Sequence, residues 1–165
     1  MSELRTNRII PRDGLVSGAS GGVIQVVFFS LATDSTVTVN GTDLVDVFTA
    51  TISPTRSDSK ILVQVTSAPK TNGGSANFQF GAQIQRNSTT IMYDNEYLQM
   101  NNGYAPNAFT GAYTVLDSPA STSALTYKFR CSRSVSGREL YFENSTDNTG
   151  NYYNKHTMTL MEISG

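Results

Sequence analysis

The sequence predicts an all-β protein: an antiparallel β-sandwich of jelly-roll or Greek-key type, preceded by an extended N-terminal arm. Apolar residues recur at every second position in many short segments, which is the period of strands and not of helices. Turn signals separate these segments at spacings of roughly 8–15 residues. Ser, Thr and Asn make up roughly a third of the chain and only 15% is charged. Because these side chains compete for backbone hydrogen bonds, the composition disfavours long helices.

The predicted strands follow in order from residue 23 to the end of the chain. The clearest alternation is in 76–86, where Phe78, Phe80, Ala82 and Ile84 share one face. Asn87 and Ser88 form a tight turn into the returning strand of a hairpin. Proline cannot continue a central strand, so Ser-Pro at 53–54 and 118–119 ends two others. The remaining predicted strands are 23–32, 44–52, 61–66, 109–116, 125–132, 137–142 and 156–163.

The alternation also predicts which side chains face the core. The inward sets are Ile61, Val63 and Val65; Leu125, Tyr127, Phe129 and Cys131; and Met158 with Leu160. Cys131 is the single cysteine, so no intramolecular disulfide can form. Its place among large apolar residues predicts a small buried hydrophobe and no redox role.

Two segments are apolar on both faces. Residues 23–29 carry apolar side chains at almost every position, and Val45 and Val47 are expected to lie on the face opposite Phe48. Strands of this kind are covered on both sides. We interpret the second cover as another subunit of a homo-oligomer; the alternative is a loop of the same chain.

Composition and motifs exclude several functions. The formal net charge of -1 provides no basic face for nucleic acid. No apolar run approaches 18 residues, and the first 20 have no apolar core of a signal peptide, so we expect no membrane insertion and no secretion signal. One histidine, His156, and one cysteine argue against the usual zinc sites, and we expect neither metal nor cofactor. No catalytic motif is present. Glu139, Glu143 and Glu162 are expected to be solvated surface carboxylates, and we expect no enzyme.

Residues 1–22 differ from the head domain predicted over 23–165. They combine three arginines and two isoleucines with a Gly/Ser linker at 17–22. We interpret the segment as a docking arm that becomes ordered on a partner, where the isoleucines provide apolar anchors and the arginines charge-assisted bonds. The alternative is a frayed terminus. The predicted docking residues are Arg5, Arg8, Ile9, Ile10 and Arg12.

The connections 69–75, 94–108, 132–136 and 146–154 are the predicted loops, and the second and fourth are rich in Asn and Tyr. Tyrosine offers a rigid apolar ring with a polar tip, which suits stacking on sugars. The alternative is that these are ordinary turn residues. The predicted glycan contacts are Tyr97, Asn101, Asn102, Tyr104, Tyr152 and Tyr153.

Several blocks resemble a known family when taken together. They are ELRTNRIIPRDG at 3–14 with VIQVV at 23–27, FTATISPTRSDSKILVQV at 48–65, YTVLDSPASTSALTYKFR at 113–130 and HTMTLMEI at 156–163. In this order they resemble small tail-fibre and virion structural proteins of tailed phages, notably marine and cyanobacterial ones. The resemblance covers much of the framework and none of the loops. It implies a β-sandwich head, an N-terminal virion-attachment segment, a trimer by analogy with other fibre heads, and no enzyme.

The expected function is therefore that of a phage virion protein of tail-fibre or receptor-binding type. It would dock to tail or baseplate proteins through its arm and contact a host surface glycan through its loops. The alternative is a head-decoration or tail-adaptor protein that has the same fold and arm but binds no host ligand.

Overall fold

The computed structural model describes residues 22–32, 36–71, 80–94, 110–133, 139–143, 145–146, 152–153 and 156–165. Within these ranges the chain forms strands and no helix. The strands are β1 Val23–Ser30, β2 Thr36–Val39, β3 Val45–Ile52, β4 Lys60–Ser67, β5 Lys70–Thr71, β6 Phe80–Arg86, β7 Thr89–Asp94, β8 Gly111–Asp117, β9 Leu125–Arg133, β10 Leu140–Glu143, β11 Ser145–Thr146, β12 Tyr152–Tyr153 and β13 Thr157–Ile163.

Two four-stranded antiparallel sheets form the sandwich. Sheet I has the order β1-β13-β4-β8 and sheet II the order β3-β9-β6-β7. The pairing of these main strands is nested. The first pairs with the last (β1 with β13), the second with the seventh (β3 with β9), the third with the sixth (β4 with β8), and β6 with β7 at the centre. This is the winding of a jelly roll, and it confirms the predicted fold class.

The antiparallel pairing gives the sandwich two different ends. The short connections 53–59, 87–88 and 118–124 lie at one end, called here the turn end. The long connections 31–44, 68–79, 95–110 and 134–156 all start and finish at the other, called the loop end. Gly22 lies at the turn end, where its carbonyl accepts a hydrogen bond from the Ser164 amide at 2.9 Å.

Three of the long connections are joined in a small third sheet at the loop end. This cap sheet has the order β2-β10-β5, so it takes one strand from each of the connections 31–44, 134–156 and 68–79. Its inner face contributes Val39, Leu140 and Phe142, each fully buried, to the main core. The sequence did not predict β2, β5, β11 or β12.

The core confirms the predicted inward faces of β4, β9 and β13, including a fully buried Cys131. Burial raises the pKa of the Cys131 thiol well above its ordinary value, so the inert role predicted for it fits its surroundings. The aromatic rings of Phe48, Phe129 and Phe142 run in sequence from sheet II to the cap sheet, with centroids 5.1 and 6.4 Å apart. Asn87 has a φ of 52° in the predicted hairpin turn, a left-handed conformation that asparagine tolerates.

The prediction for Val45 and Val47 was wrong. The register of β3 on β9 shifts between Asp46 and Phe48. This bulge reverses the alternation, so Val47 and Phe48 are both buried while Asp46 is exposed. The two-sided character of β1 has a different outcome. Val27 and Phe29 pack on the core, but Val26 and Phe28 on the other face are 56% and 65% exposed.

Candidate functional site at the loop end

The predicted glycan-contact residues belong to connections that reach the loop end. Tyr97, Asn101, Asn102 and Tyr104 lie outside the described residues, but the strands that flank them, β7 and β8, finish and start at this end. Tyr152 and Tyr153 form β12, whose backbone pairs with β11. The topology thus directs both Tyr-bearing connections to the same end of the sandwich.

The outer face of the cap sheet is the best-described surface at this end. Tyr141 on β10 is paired with Thr38 on β2 and Lys70 on β5, so the three residues form a row across the sheet. The Tyr141 hydroxyl donates a hydrogen bond to the Glu139 carboxylate. That hydrogen bond is the main cause of the raised pKa of Tyr141, because the phenol donates only while it is protonated. The sequence prediction did not include Tyr141 among the glycan contacts.

An ion pair joins two strands of the cap sheet. Lys70 Nζ lies 2.6 Å from Glu143 Oε1, and each side chain is 29% exposed. A pair at this depth is partly shielded from water and holds β5 against β10. The ion pair therefore holds β5 in place at the edge of the cap sheet, beside Tyr141.

His156 connects the cap sheet to sheet I beneath it. The ring is fully buried. Its Nδ1 accepts a hydrogen bond from the Ala68 amide at 3.3 Å and lies 3.1 Å from Ser67 Oγ, while Nε2 lies 3.3 Å from the Glu143 carbonyl. The amide donor requires a neutral ring with its proton on Nε2. Burial lowers the pKa of His156 and outweighs the opposing effect of the Glu143 carbonyl.

Alternation along the last strand contains a signal for this histidine that the prediction did not use. His156, Met158, Leu160 and Glu162 are each two residues apart, so strict alternation along β13 places all four side chains on the inward face. Glu162 is indeed fully buried, and its predicted place on the solvated surface was wrong. Its carboxylate is stable there because it accepts hydrogen bonds from the Thr55 amide at 2.8 Å, the Thr55 hydroxyl at 2.9 Å and Gln25 Nε2 at 2.6 Å.

A second polar surface lies on the outer face of sheet II, close to the loop end. Asp46, Arg130, Gln83 and Tyr93 form one row across β3, β9, β6 and β7. Arg130 donates to Asp46 at 2.6 Å, to Gln83 Oε1 at 3.1 Å and to the Leu44 carbonyl at 3.0 Å.

Asp46 is held in its ionised form by Arg130 in the same row and by Lys128 in the neighbouring row. Lys128 Nζ lies 2.6 Å from the other carboxylate oxygen of Asp46. Partial burial acts to raise the pKa of Asp46, but the hydrogen bonds and charges of Lys128 and Arg130 outweigh it and lower the pKa. Tyr93 ends the row with 50% of its surface exposed.

These groups suit binding by aromatic and polar contacts. In the described ranges, no group of three His, Cys, Asp or Glu side chains is arranged to hold a metal ion. Likewise, the part of the chain that the structure describes contains no helix long and apolar enough to cross a membrane. The predicted docking residues Arg5, Arg8, Ile9, Ile10 and Arg12 lie outside the described residues and stay predictions.

Comparison with known proteins finds structural matches at low sequence identity. No protein-family model matches the sequence, and no curated protein matches it. Among solved structures, the chain is similar to part of dimeric latent PorU from Porphyromonas gingivalis, with 9% identity and a TM-score of 0.47 over 90% of this chain and 14% of that one.

Chains from infectious bursal disease virus particles also match. The chain of the T13 particle has 10% identity and a TM-score of 0.47, and that of the VP2 subviral particle 11% and 0.42. Both matches cover 98% of this chain and 44% of the viral one. The chain therefore spans less than half the length of each of these proteins.

Proposed function

We propose that this protein is a phage virion structural protein of tail-fibre or receptor-binding type. Its arm, residues 1–22, docks on tail or baseplate proteins, and its loop end contacts a glycan of the host cell surface. Several copies assemble, as a homotrimer, so that repeated weak sites act together. The proposal assigns no catalytic step and no cofactor to the chain.

The observation that carries this proposal is the opposition of the two ends. Gly22 leads from the predicted arm into β1 at the turn end, whereas every long connection belongs to the loop end. A protein that must hold a particle on one side and a ligand on the other needs this separation. Binding residues are disproportionately found on loops held by a rigid scaffold.

The surfaces at the loop end suggest the class of ligand. Aromatic rings stack on the apolar faces of sugars, and neighbouring amides, hydroxyls and carboxylates bond their hydroxyls. Tyr141, with Thr38 and Lys70 in register beside it, offers such a combination. The Tyr and Asn residues predicted from the sequence belong to adjacent connections. A neutral or weakly charged saccharide fits the described part of this surface, where Lys70 is paired with Glu143 and Arg130 with Asp46.

The test is binding of the purified full-length protein to host cells and to an array of bacterial surface saccharides. The variant replaces Tyr97, Tyr104, Tyr152 and Tyr153 together by alanine. The matched control replaces Arg56 and Asp58, whose side chains are 54% and 55% exposed at the turn end. We expect the loop variant to lose at least tenfold in adsorption and the control to bind as wild type. Unchanged adsorption of the loop variant would show that the loop end is not the receptor-binding surface.

One observation favours the alternative of a head-decoration or tail-adaptor protein. The polar groups described at the loop end are largely bonded to one another, as with Lys70 and Glu143 or Arg130 and Asp46. Such pairs also occur on surfaces that bind nothing. A decoration or adaptor protein would bind particles through the arm and neither host cells nor any saccharide of the array.

A further inference from the structure

We infer that the outer face of sheet I is a self-association surface that packs against a second copy of this chain. This face consists of the outward-pointing side chains of β1, β13, β4 and β8. The contact pairs two like faces and so relates two copies by a two-fold axis, which makes it an additional contact beside the homotrimer proposed above. It does not depend on a virion role.

An apolar row crosses the entire face. Val26 is paired with Met161, Met161 with Leu62, and Leu62 with Leu116. Neighbouring strands lie about 4.8 Å apart, so these four side chains form a continuous stripe roughly 15 Å long. Val26 is 56% and Leu116 50% exposed.

The stripe widens along β1. Phe28 is 65%, Val23 55% and Ile24 38% exposed. Five of the six large hydrophobic residues found exposed among the described residues therefore lie in sheet I, four of them in β1, where Ile24 is the extra residue of a bulge; Tyr93 is the sixth. Scattered apolar residues are normal on protein surfaces, whereas a contiguous patch marks a contact site.

The charge distribution indicates which partner the face accepts. In the rows that start at Val23, Val26, Phe28 and Ser30, the described residues include one charged side chain, Lys60, at the turn end. The outer face of sheet II instead carries Asp46, Lys128 and Arg130. The face is apolar along β1 and in the row that starts at Val26, and the rows that start at Phe28 and Ser30 add uncharged Thr, Ser and Gln side chains. Such a face gains little from a charged partner, but two copies of it meet without repulsion between like charges.

The edge of sheet I points to the same partner. In the described part of the chain, β1 pairs with β13 alone. Its sequence, VIQVVFFS, contains no proline and no charge, the devices by which proteins usually protect an edge strand. An unprotected edge beside an apolar face is suited to a second copy that covers both.

The size of the face limits the strength of the contact. Four strands of about 4.8 Å spacing and eight residues of about 3.4 Å rise give roughly 500 Å² per copy, or about 1,000 Å² for a pair. Stable complexes bury about 1,200–2,000 Å². We therefore expect a reversible association whose extent depends on concentration and which strengthens when copies are held together on a particle.

The test is sedimentation velocity of the full-length chain from about 1 to 500 µM. The variant combines Phe28→Lys with Leu116→Lys. The matched control combines Thr49→Lys with Thr51→Lys, which adds the same charge to exposed positions on sheet II. We expect the mean mass of wild type and control to rise with concentration and that of the variant to stay at 17.9 kDa. Val26→Thr, which keeps the size and shape of the side chain, should weaken association several-fold if the double variant does not fold.

Two outcomes would overturn the inference. One is a wild-type protein that remains a monomer at every concentration. The other is association of the Phe28/Leu116 variant equal to that of the control. Since a monomeric variant still has its loop end, saccharide binding measured on the same sample separates failure of this contact from failure of the proposed function.

Discussion

Replacing Glu162 by glutamine tests the buried carboxylate that closes the turn end. Glutamine keeps the size of the side chain and an oxygen for the Thr55 amide and hydroxyl. Its NH₂ group, however, then faces Gln25 Nε2, which donates to the wild-type carboxylate at 2.6 Å. Two donors cannot bond each other, so one charge-assisted hydrogen bond is lost.

The loss of folding free energy depends on whether Gln25 can form another hydrogen bond with the new side chain. A hydrogen bond to a charged group contributes about 1.5–3 kcal/mol. Gln25 could rotate its amide, but its Nε2 also donates to the Ser53 carbonyl at 2.7 Å, and rotation would give up that bond, worth about 1 kcal/mol. We expect Glu162→Gln to destabilise the fold by about 2 kcal/mol, or roughly 4–8 °C in Tm for a domain of this size.

The pH dependence gives an independent check. Burial acts to raise the pKa of Glu162, but the hydrogen bonds from Gln25 and Thr55 outweigh it, so the pKa is lowered from its ordinary 4.5. The folded protein therefore keeps this charge at a pH where the unfolded chain already binds a proton. The stabilisation is complete above about pH 4.5 and is lost as the pH falls through the lowered value. The glutamine variant lacks this contribution to acid sensitivity.

The assay is thermal and urea unfolding followed by circular dichroism at pH 7 and pH 4. Asp58→Asn is the control, because Asp58 lies in the same turn but its side chain is 55% exposed, and exposed ion pairs contribute little. If Glu162→Gln melts within 1 °C of wild type at pH 7, the carboxylate does not stabilise the turn end as described.

Two further perturbations address the loop end. The pKa of His156 is lowered by burial, so below about pH 6.5 the unfolded chain binds a proton that the folded chain excludes. The contribution of the neutral ring to stability is therefore complete above that pH and is lost as the pH falls. The Tm of wild type should fall between pH 6.5 and 5, whereas the Tm of His156→Gln should change less. Equal slopes for the two proteins would contradict the neutral ring inferred from its hydrogen bonds. Phe142→Ala removes a fully buried ring and should cost about 3–5 kcal/mol. Hydrogen exchange should then show β2, β5 and β10 losing protection before sheets I and II, and equal loss in all three sheets would show that Phe142 does not hold the cap sheet on the core.

The parts of the fold that the sequence predicted are those in which alternation is uninterrupted. In β9, Leu125, Tyr127, Phe129 and Cys131 all face the core as predicted. The hairpin at Asn87 was predicted for a similar reason, because its turn depends on local backbone preferences. Such features need no knowledge of which strands are neighbours.

Other features depend on partners distant in the sequence. The bulge between Asp46 and Phe48 depends on the register against β9, and the sequence of β3 alone does not predict it. The cap sheet joins very short strands from three connections, too short for periodicity to indicate them. The alternation in β13 could have predicted the burial of Glu162. Its hydrogen-bond donors in the turn 53–59, however, are brought to it only by the fold.

For the candidate site, the sequence predicted which connections carry the residues, and the structure shows at which end of the sandwich those connections start and finish. It selected the Tyr- and Asn-rich connections, and the topology brings both to the loop end. The prediction did not include Tyr141, because the surroundings of that residue are formed by Thr38 and Lys70 from other connections. Gly22 lies at the end opposite the long connections because of the nested pairing of the main strands. That pairing joins residues far apart in the sequence.

The most direct test of the proposed orientation is cryo-electron microscopy of particles that carry the protein. We expect the turn end, with Gly22 and the arm, to face the tail or baseplate and the cap sheet with the four long connections to face outward. A map in which the cap sheet is buried against the particle, with the turn end exposed, would contradict the proposal.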